Sequence, residues 1–267
     1  MLRKIYNRWV TLSLKNRVNV TKTIVINLLL FPLRKALHFP ILIYGPCKLG
    51  ALSGKIVFLS PIKKGLLRIG LSDNVRSWHS KSFIEIRGTV EVGENVVLRR
   101  GISLSVRSDA RIVFEDNTFV ADNNTIISFD YVYFGRATLV GNNSVFMDTD
   151  FHYVIRTDTR EIKKNVNPII IGENCWIGGW CTIKKGTQLP KGTIVAGPYS
   201  MVGKNYMGII PEYSLIAGSP AKMLMKNVRC MNNQRSDIMI DEYLKKGADS
   251  FILPEEIDVN TFCTSDS

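Results

Sequence analysis

No aspartate or glutamate occurs before Asp73, although thirteen lysines and arginines do. The chain has only three histidines and five cysteines. Neither residue type forms a Cys-x-x-Cys or His-x-x-x-His pair, which argues against a zinc site of the usual spacing, so no metal is expected. No apolar stretch reaches the ~20 residues needed to cross a bilayer. The run from Ile24 to Leu33 is broken by Asn27 and Pro32, and no small-residue cleavage site of a secretory signal follows it. Nor does a recognised nucleic-acid-binding motif accompany the positive charge, so nucleic acid is not an expected partner.

The charge that is present is lopsided. The net charge is +12, and its acid-free stretch at the N-terminus predicts something anionic nearby. Leu2, Ile5, Trp9 and Leu12 share one face of a helix, with Arg3, Lys4 and Arg8 largely off it. Such a segment suits a membrane interface. It equally suits packing on the end of a scaffold or on a neighbouring subunit, with its charges solvated. Residues 1–45 are therefore expected to form a basic amphipathic segment, with peripheral membrane association at a cytoplasmic face as one of its two readings.

From Val92 onward an apolar residue returns at every sixth position. The series runs Ile86, Val92, Leu98 and Leu104, then Phe114, Val120 and Ile126, then Phe134, Val140 and Phe146. After a gap it resumes at Ile171, Ile177, Ile183, Leu189, Val195 and Met201. Six is not a helical period, though it accommodates the twofold alternation of a short strand. One such unit cannot bury its own apolar side chain, so the units must stack as a solenoid. Three hexads make a triangular coil, with small residues such as Thr118, Ser144, Cys175 and Cys181 filling the axis. The expectation is an all-β solenoid, a parallel β-helix over residues 46–225. At 45% hydrophobic over 267 residues, the chain can bury a sizeable core.

Between Phe146 and Ile171 the period is interrupted by a polar insertion beginning Met147-Asp148-Thr149-Asp150-Phe151-His152-Tyr153. Insertions on a rigid scaffold are where chemistry tends to sit. An imidazole such as that of His152 is a side-chain type suited to taking a proton from a hydroxyl. Asp148 and Asp150 are placed either to orient that ring or to cap turns.

The Asp-x-Asp-Phe-His insertion, the segment Asn167-Pro168-Ile169-Ile170-Ile171-Gly172-Glu173-Asn174-Cys175-Trp176-Ile177-Gly178-Gly179, and the later Ile216-Ala217-Gly218-Ser219-Pro220-Ala221-Lys222 resemble the hexapeptide-repeat acyltransferases. The resemblance implies a left-handed β-helix, a homotrimer, and acetyl-CoA held between neighbouring solenoids. It places His152 as general base. Gly179 is where a backbone N–H faces the thioester oxygen, and Gly197 lies along the pantetheine arm. Trp176 lies beside the cleft, and Lys222, with Lys204 a weaker candidate, lies near the coenzyme phosphates. The glycines serve tight coil turns equally well. The sequence departs from the family pattern at Ala196-Gly197-Pro198-Tyr199 and at Val202-Gly203, where nucleotide contacts usually fall.

After Lys222 the repeat stops. A short helix is expected over Asp237 to Lys246, closing at Gly247, with a mobile tail after it, in a C-terminal portion spanning residues 226–267. The resemblance implies an acetyl-CoA-dependent O-acetyltransferase acting on a sugar or glycan hydroxyl. N-acetylation of an amino sugar nucleotide and a non-catalytic structural β-helix are the alternatives. A zinc carbonic anhydrase on the same solenoid would need three ligating histidines, and His38 and His79 lie outside the strong repeat.

Overall fold

The computed structural model describes residues 17–72 and 79–263. Its body is a triangular solenoid of parallel strands. Face I carries strands including Leu67–Ile69, Val96–Leu98, Phe119–Val120, Leu139–Val140, Trp176–Ile177 and Ile194–Val195. Face II carries, among others, Thr125–Ser128, Val145–Met147, Thr182–Lys184 and Met201–Val202. Face III includes Arg111–Phe114, Tyr131–Phe134, Ile169–Ile171 and Gln188–Leu189. The chain visits I, II and III in turn and then climbs one coil. Each strand therefore pairs in parallel with the strand one coil earlier and the strand one coil later.

The sixfold apolar residue is the inward one. On face I, Leu98, Val120, Val140, Ile177 and Val195 stack in register and are buried. On face III, Phe114 and Phe134 stack with ring centroids 5.1 Å apart, and Phe134 meets Phe146 of face II edge-on at 5.1 Å. Cys175 and Cys181 are buried, unpaired thiols in the same core, and burial pushes the Cys175 pKa up to about 12. Thr118 and Ser144 fill the axis as expected.

The phase slips once. Val202, not Met201, faces inward opposite Ile183, because the corner Ala196–Ser200 holds one residue more than a hexad allows. The solenoid also starts earlier than its clear repeat. Ile41–Ile43 is the first strand of face I, and Cys47–Leu49 and Lys55–Phe58 complete the first coil. Long connections between those early strands hide the period.

Two helices precede this coil, α1 (Val20–Leu30) and α2 (Leu33–Ala36), separated at Pro32. The amphipathic segment expected over Leu2 to Leu12 lies outside the described residues. At the far end Leu215–Gly218 is followed by an antiparallel strand, Ala221–Met225, which ends the stack. Beyond it lie α3 (Gln234–Leu244), whose N-cap Asn233 accepts from the amides of Arg235 and Ser236, and α4 (Val259–Cys263). The tail expected after Gly247 is thus structured as far as Cys263. The cluster of Tyr243, Phe251 and Phe262 ties it back to α3.

Candidate functional site

Three corners join the faces, and the expected site residues fall on two of them. The I–II corner holds Gly141, Gly178–Gly179 and Gly197 in successive coils, and Gly218, the last residue of the face I strand Leu215–Gly218, continues the line. A Cβ at Gly141 would lie 2.5 Å from the Gly179 nitrogen, and one at Gly197 would lie 2.3 Å from the Gly179 oxygen. A Cβ at Gly178 would lie 2.5 Å from the Gly197 nitrogen. Coil stacking alone therefore requires glycine at these three positions. Gly179 differs: its nearest neighbour would be the Asn142 carbonyl oxygen at 3.0 Å, a tight contact but not the outright clash met at the other three. Packing explains its missing side chain least well.

Hydrogen bonds fix this corner rigidly. The Ser144 hydroxyl donates to the Gly178 carbonyl at 3.0 Å and accepts from the Cys181 amide at 3.0 Å. The Gly178 amide donates to Val195 O and the Trp180 amide to Asn142 O. Among the described residues, no acceptor takes the Gly179 N–H, so a donor stands free between two held neighbours.

Trp180 and Tyr199 flank the strip, both exposed, with ring centroids 6.4 Å apart. Both sit in the left-handed backbone region, φ 61° and 65°, where earlier coils place Asn123 and Asn143. Asparagine tolerates that region, whereas a bulky aromatic there is an outlier of the kind found at functional sites. Sequence reasoning missed both residues. The signal was there, as two aromatics in the corner slot that asparagine occupies elsewhere.

Trp176 is on face I itself. Its half-exposed ring borders a cavity shared with Leu139, Phe119, Gly141 and Asn142. Lys222 is exposed on the antiparallel return strand, paired with Ala217 beside Gly218, at the end of the glycine strip. Lys204 is elsewhere. It follows face II toward the II–III corner, and its ammonium lies 5.3 Å from the Tyr206 ring centroid.

The insertion carrying His152 leaves the II–III corner between Val145–Met147 and Ile169–Ile171. It folds back on itself through antiparallel bridges, Thr149 with Val166 and Ile155 with Ile162. Phe151 anchors it edge-on to Phe129 at 5.4 Å. The His152 amide donates to Asp150 O at 2.7 Å. The ring is exposed and has no hydrogen-bond partner among the described residues.

Neither aspartate orients that ring within the chain. The Asp148 carboxylate is buried and accepts from Ser128 Oγ at 2.7 Å, the Phe129 amide at 2.8 Å and the Asp130 amide at 2.9 Å. It is a turn cap, the second of the two roles open to it in the sequence. Burial raises its pKa against the opposing pull of those donors. Asp150 pairs instead with Lys185 at 2.8 Å, and Lys185 also donates to Lys164 O at 3.0 Å, so this ion pair pins the base of the insertion.

One chain thus places Gly179, Gly197, Trp180 and Lys222 along one edge of the prism and His152 with Lys204 along another. Face II lies between them.

No family model matches the chain. Over 188 residues it is 30% identical to the putative lipopolysaccharide biosynthesis O-acetyl transferase WbbJ of Escherichia coli K12, a match covering 67% of this chain and 93% of that one. Two solved structures share its fold. The polysialic acid O-acetyltransferase OatWY superposes with a TM-score of 0.52 at 19% identity, covering 74% of this chain and 95% of the other. The polySia specific acetyltransferase NeuO gives 0.50 at 17%, covering 75% and 98%. By its coil-by-coil repeat and its similarity to WbbJ along nearly the whole of that relative, the chain belongs to the hexapeptide-repeat acyltransferases, enzymes built on a left-handed parallel β-helix.

Proposed function

We propose that the protein is an acetyl-CoA-dependent O-acetyltransferase of a glycan hydroxyl in surface-polysaccharide biosynthesis. Its active site is shared between the I–II corner of one subunit and the His152 insertion of the next in a homotrimer. The observation that carries this reading is the separation of the two sets of residues. The Gly179 amide and the His152 ring, neither hydrogen-bonded among the described residues, lie on different edges of the prism, so a second copy is needed to bring them together.

The I–II corner fits a long, thin, flexible cosubstrate. A strip without side chains runs across four coils, aromatic rings flank it, and Lys222 lies at its end as a point charge for phosphate. Acetyl-CoA supplies an acyl group already activated as a thioester. The Gly179 N–H donates a hydrogen bond to the carbonyl oxygen as negative charge develops on it, an effect worth ~2.7–4 kcal/mol of barrier for one well-placed donor. Its geometry is set in advance by the Ser144–Gly178 bond and the Trp180 amide. His152 removes the proton from the attacking hydroxyl, typically a contribution of about 10²–10⁴ in rate; the tetrahedral adduct then collapses with cleavage of the thioester C–S bond, and CoA leaves as the thiol with the proton His152 took. The ring is exposed and has no partner among the described residues, which leaves both nitrogens available for the acceptor and for a neighbouring subunit. The glycan assignment rests on the similarity to WbbJ, a putative lipopolysaccharide O-acetyl transferase.

The test is calorimetric binding of acetyl-CoA, followed by acetyl incorporation into free sugars, sugar nucleotides and lipid-linked glycans. Saturable binding that survives His152→Ala, together with ester formation on a glycan, supports the proposal. Transfer to amino sugars alone contradicts O-acetylation, and absence of acetyl-CoA binding contradicts the coenzyme strip.

A further inference from the structure

Helix α1 is built inside out. Two of its polar side chains, Thr23 and Asn27, face the protein, and most of its aliphatic ones face away. Thr23 and Asn27 are 4% and 0% exposed and lie against the first strand, Ile41–Ile43. Asn27 Nδ2 donates to Ile41 O at 2.8 Å, and its Oδ1 accepts from the Ile41 amide at 3.2 Å. Thr23 Oγ1 accepts from the Ile43 amide at 3.1 Å. These strand groups form the open edge of face I, where a preceding coil would otherwise pair. An unpaired edge is costly when buried and a template for association when exposed. Two side chains of α1 satisfy it, and Ile26 alone is fully buried among the aliphatic residues of that helix.

Outside these contacts the exposed surface of α1 is largely aliphatic, with Thr21 and Lys22 its polar members. Val20 and Leu29 are each 63% exposed and Leu28 is 50% exposed, with Ile24 and Val25 beside them. Past Pro32 the same character continues at Leu33 and Leu37, 64% and 63% exposed. A contiguous aliphatic surface of this kind on two consecutive helices signals a non-aqueous partner. Its surroundings choose among partners. Lys22, Arg34 and Lys35 lie on the same helices, and the first 72 residues contain no acidic side chain. A second copy of this chain would bring the same positive charge to the contact. A bilayer bearing anionic headgroups offers hydrocarbon to the leucines and phosphate to the cations. At eleven residues α1 is about 16 Å long, half the hydrocarbon thickness, and among the described residues no helix is long and apolar enough to cross a membrane.

We infer that the α1–α2 face docks in the plane of an anionic lipid surface, holding the β-helix by its N-terminal end against the membrane. The inference needs no acyl donor. It adds the place at which a lipid-linked acceptor would meet the enzyme.

The test is flotation of the full-length protein with phosphatidylcholine vesicles and with vesicles also containing phosphatidylglycerol, for the wild type and for the double variant Leu28→Asp/Leu29→Asp. Both leucines are exposed, so the variant leaves the core and the edge-satisfying bonds of Thr23 and Asn27 in place. The wild type should float only with the anionic vesicles and less so in high salt. The double variant should lose at least tenfold in vesicle partition with an unchanged melting temperature and sedimentation coefficient. Failure of the wild type to float with anionic vesicles overturns the inference, as does flotation of the double variant equal to wild type. A double variant that sediments as a smaller species would show the face buried between copies and would also overturn it. Acetyl-CoA binding, measured separately, is untouched by any of these outcomes.

Discussion

Ser144 and Gly178, on adjacent coils of the I–II corner, are joined by a hydrogen bond of 3.0 Å from the serine hydroxyl to the glycine carbonyl. The same hydroxyl accepts from the Cys181 amide at 3.0 Å, so one small side chain holds both ends of the Gly178–Cys181 turn. Ser144→Ala leaves the Cys181 amide buried without its partner, which costs about 1–3 kcal/mol. Urea denaturation should show that loss. Steady-state kinetics should show a larger fall in kcat than change in acetyl-CoA affinity, because the turn positions the Gly179 donor.

On the proposed mechanism His152→Ala should lower kcat by about 10²–10⁴ while acetyl-CoA affinity stays within about twofold, since the ring acts on the acceptor hydroxyl and not on the coenzyme. Equilibrium binding alongside initial rates separates the two effects. A comparable loss of affinity would mean that His152 holds the coenzyme.

Gly197→Ala and Gly179→Ala should part company. The first sets a methyl 2.3 Å from the Gly179 carbonyl and should cost about 1–3 kcal/mol through overpacking. The second meets Asn142 O at 3.0 Å and should fold nearly as well as wild type. Thermal melts of the pair check this directly.

Glu85 on face II accepts from Ser105 Oγ at 2.9 Å and from Arg87 at 2.8 Å, and its pKa lies below the usual carboxylate value, chiefly through the Ser105 hydroxyl. A lowered folded-state value means stability that is present above the unfolded carboxyl range and is lost as pH falls through the folded value. Glu85→Gln should therefore cost about 1 kcal/mol at neutral pH and progressively less as pH falls below the ordinary carboxyl range. Denaturation at the two pH values decides it.

Much of the fold was legible because the hexad fixes which residue points inward: Leu98, Val120, Val140 and Ile177 are where the period puts them. It failed where the corners change length. The longer turn at Gly197–Ser200 moved the inward position from Met201 to Val202, and the long early connections concealed the coils before Ile86. The polar inward face of α1 was not legible either, since Asn27 looks like an interruption until the strand edge it satisfies is seen. Of the candidate site, the sequence singled out His152 and the glycines, which the structure sets on two different corners. It could not choose between ring orientation and turn capping for Asp148, because the deciding donors, Ser128, Phe129 and Asp130, lie one coil away and about twenty residues earlier.

The central claim is a site shared between subunits, and the most direct measurement is complementation in mixed assemblies. His152→Ala and Gly179→Val chains, each inactive alone, are co-expressed with different tags, purified through both, and assayed for acetyl transfer from labelled acetyl-CoA. A shared site predicts recovery of activity, about a third of wild type in a cyclic trimer, because every mixed trimer then has one of its three interfaces joining an intact His152 to an intact Gly179. Mixed assemblies as inactive as either parent would contradict it and place both groups in one chain's own site.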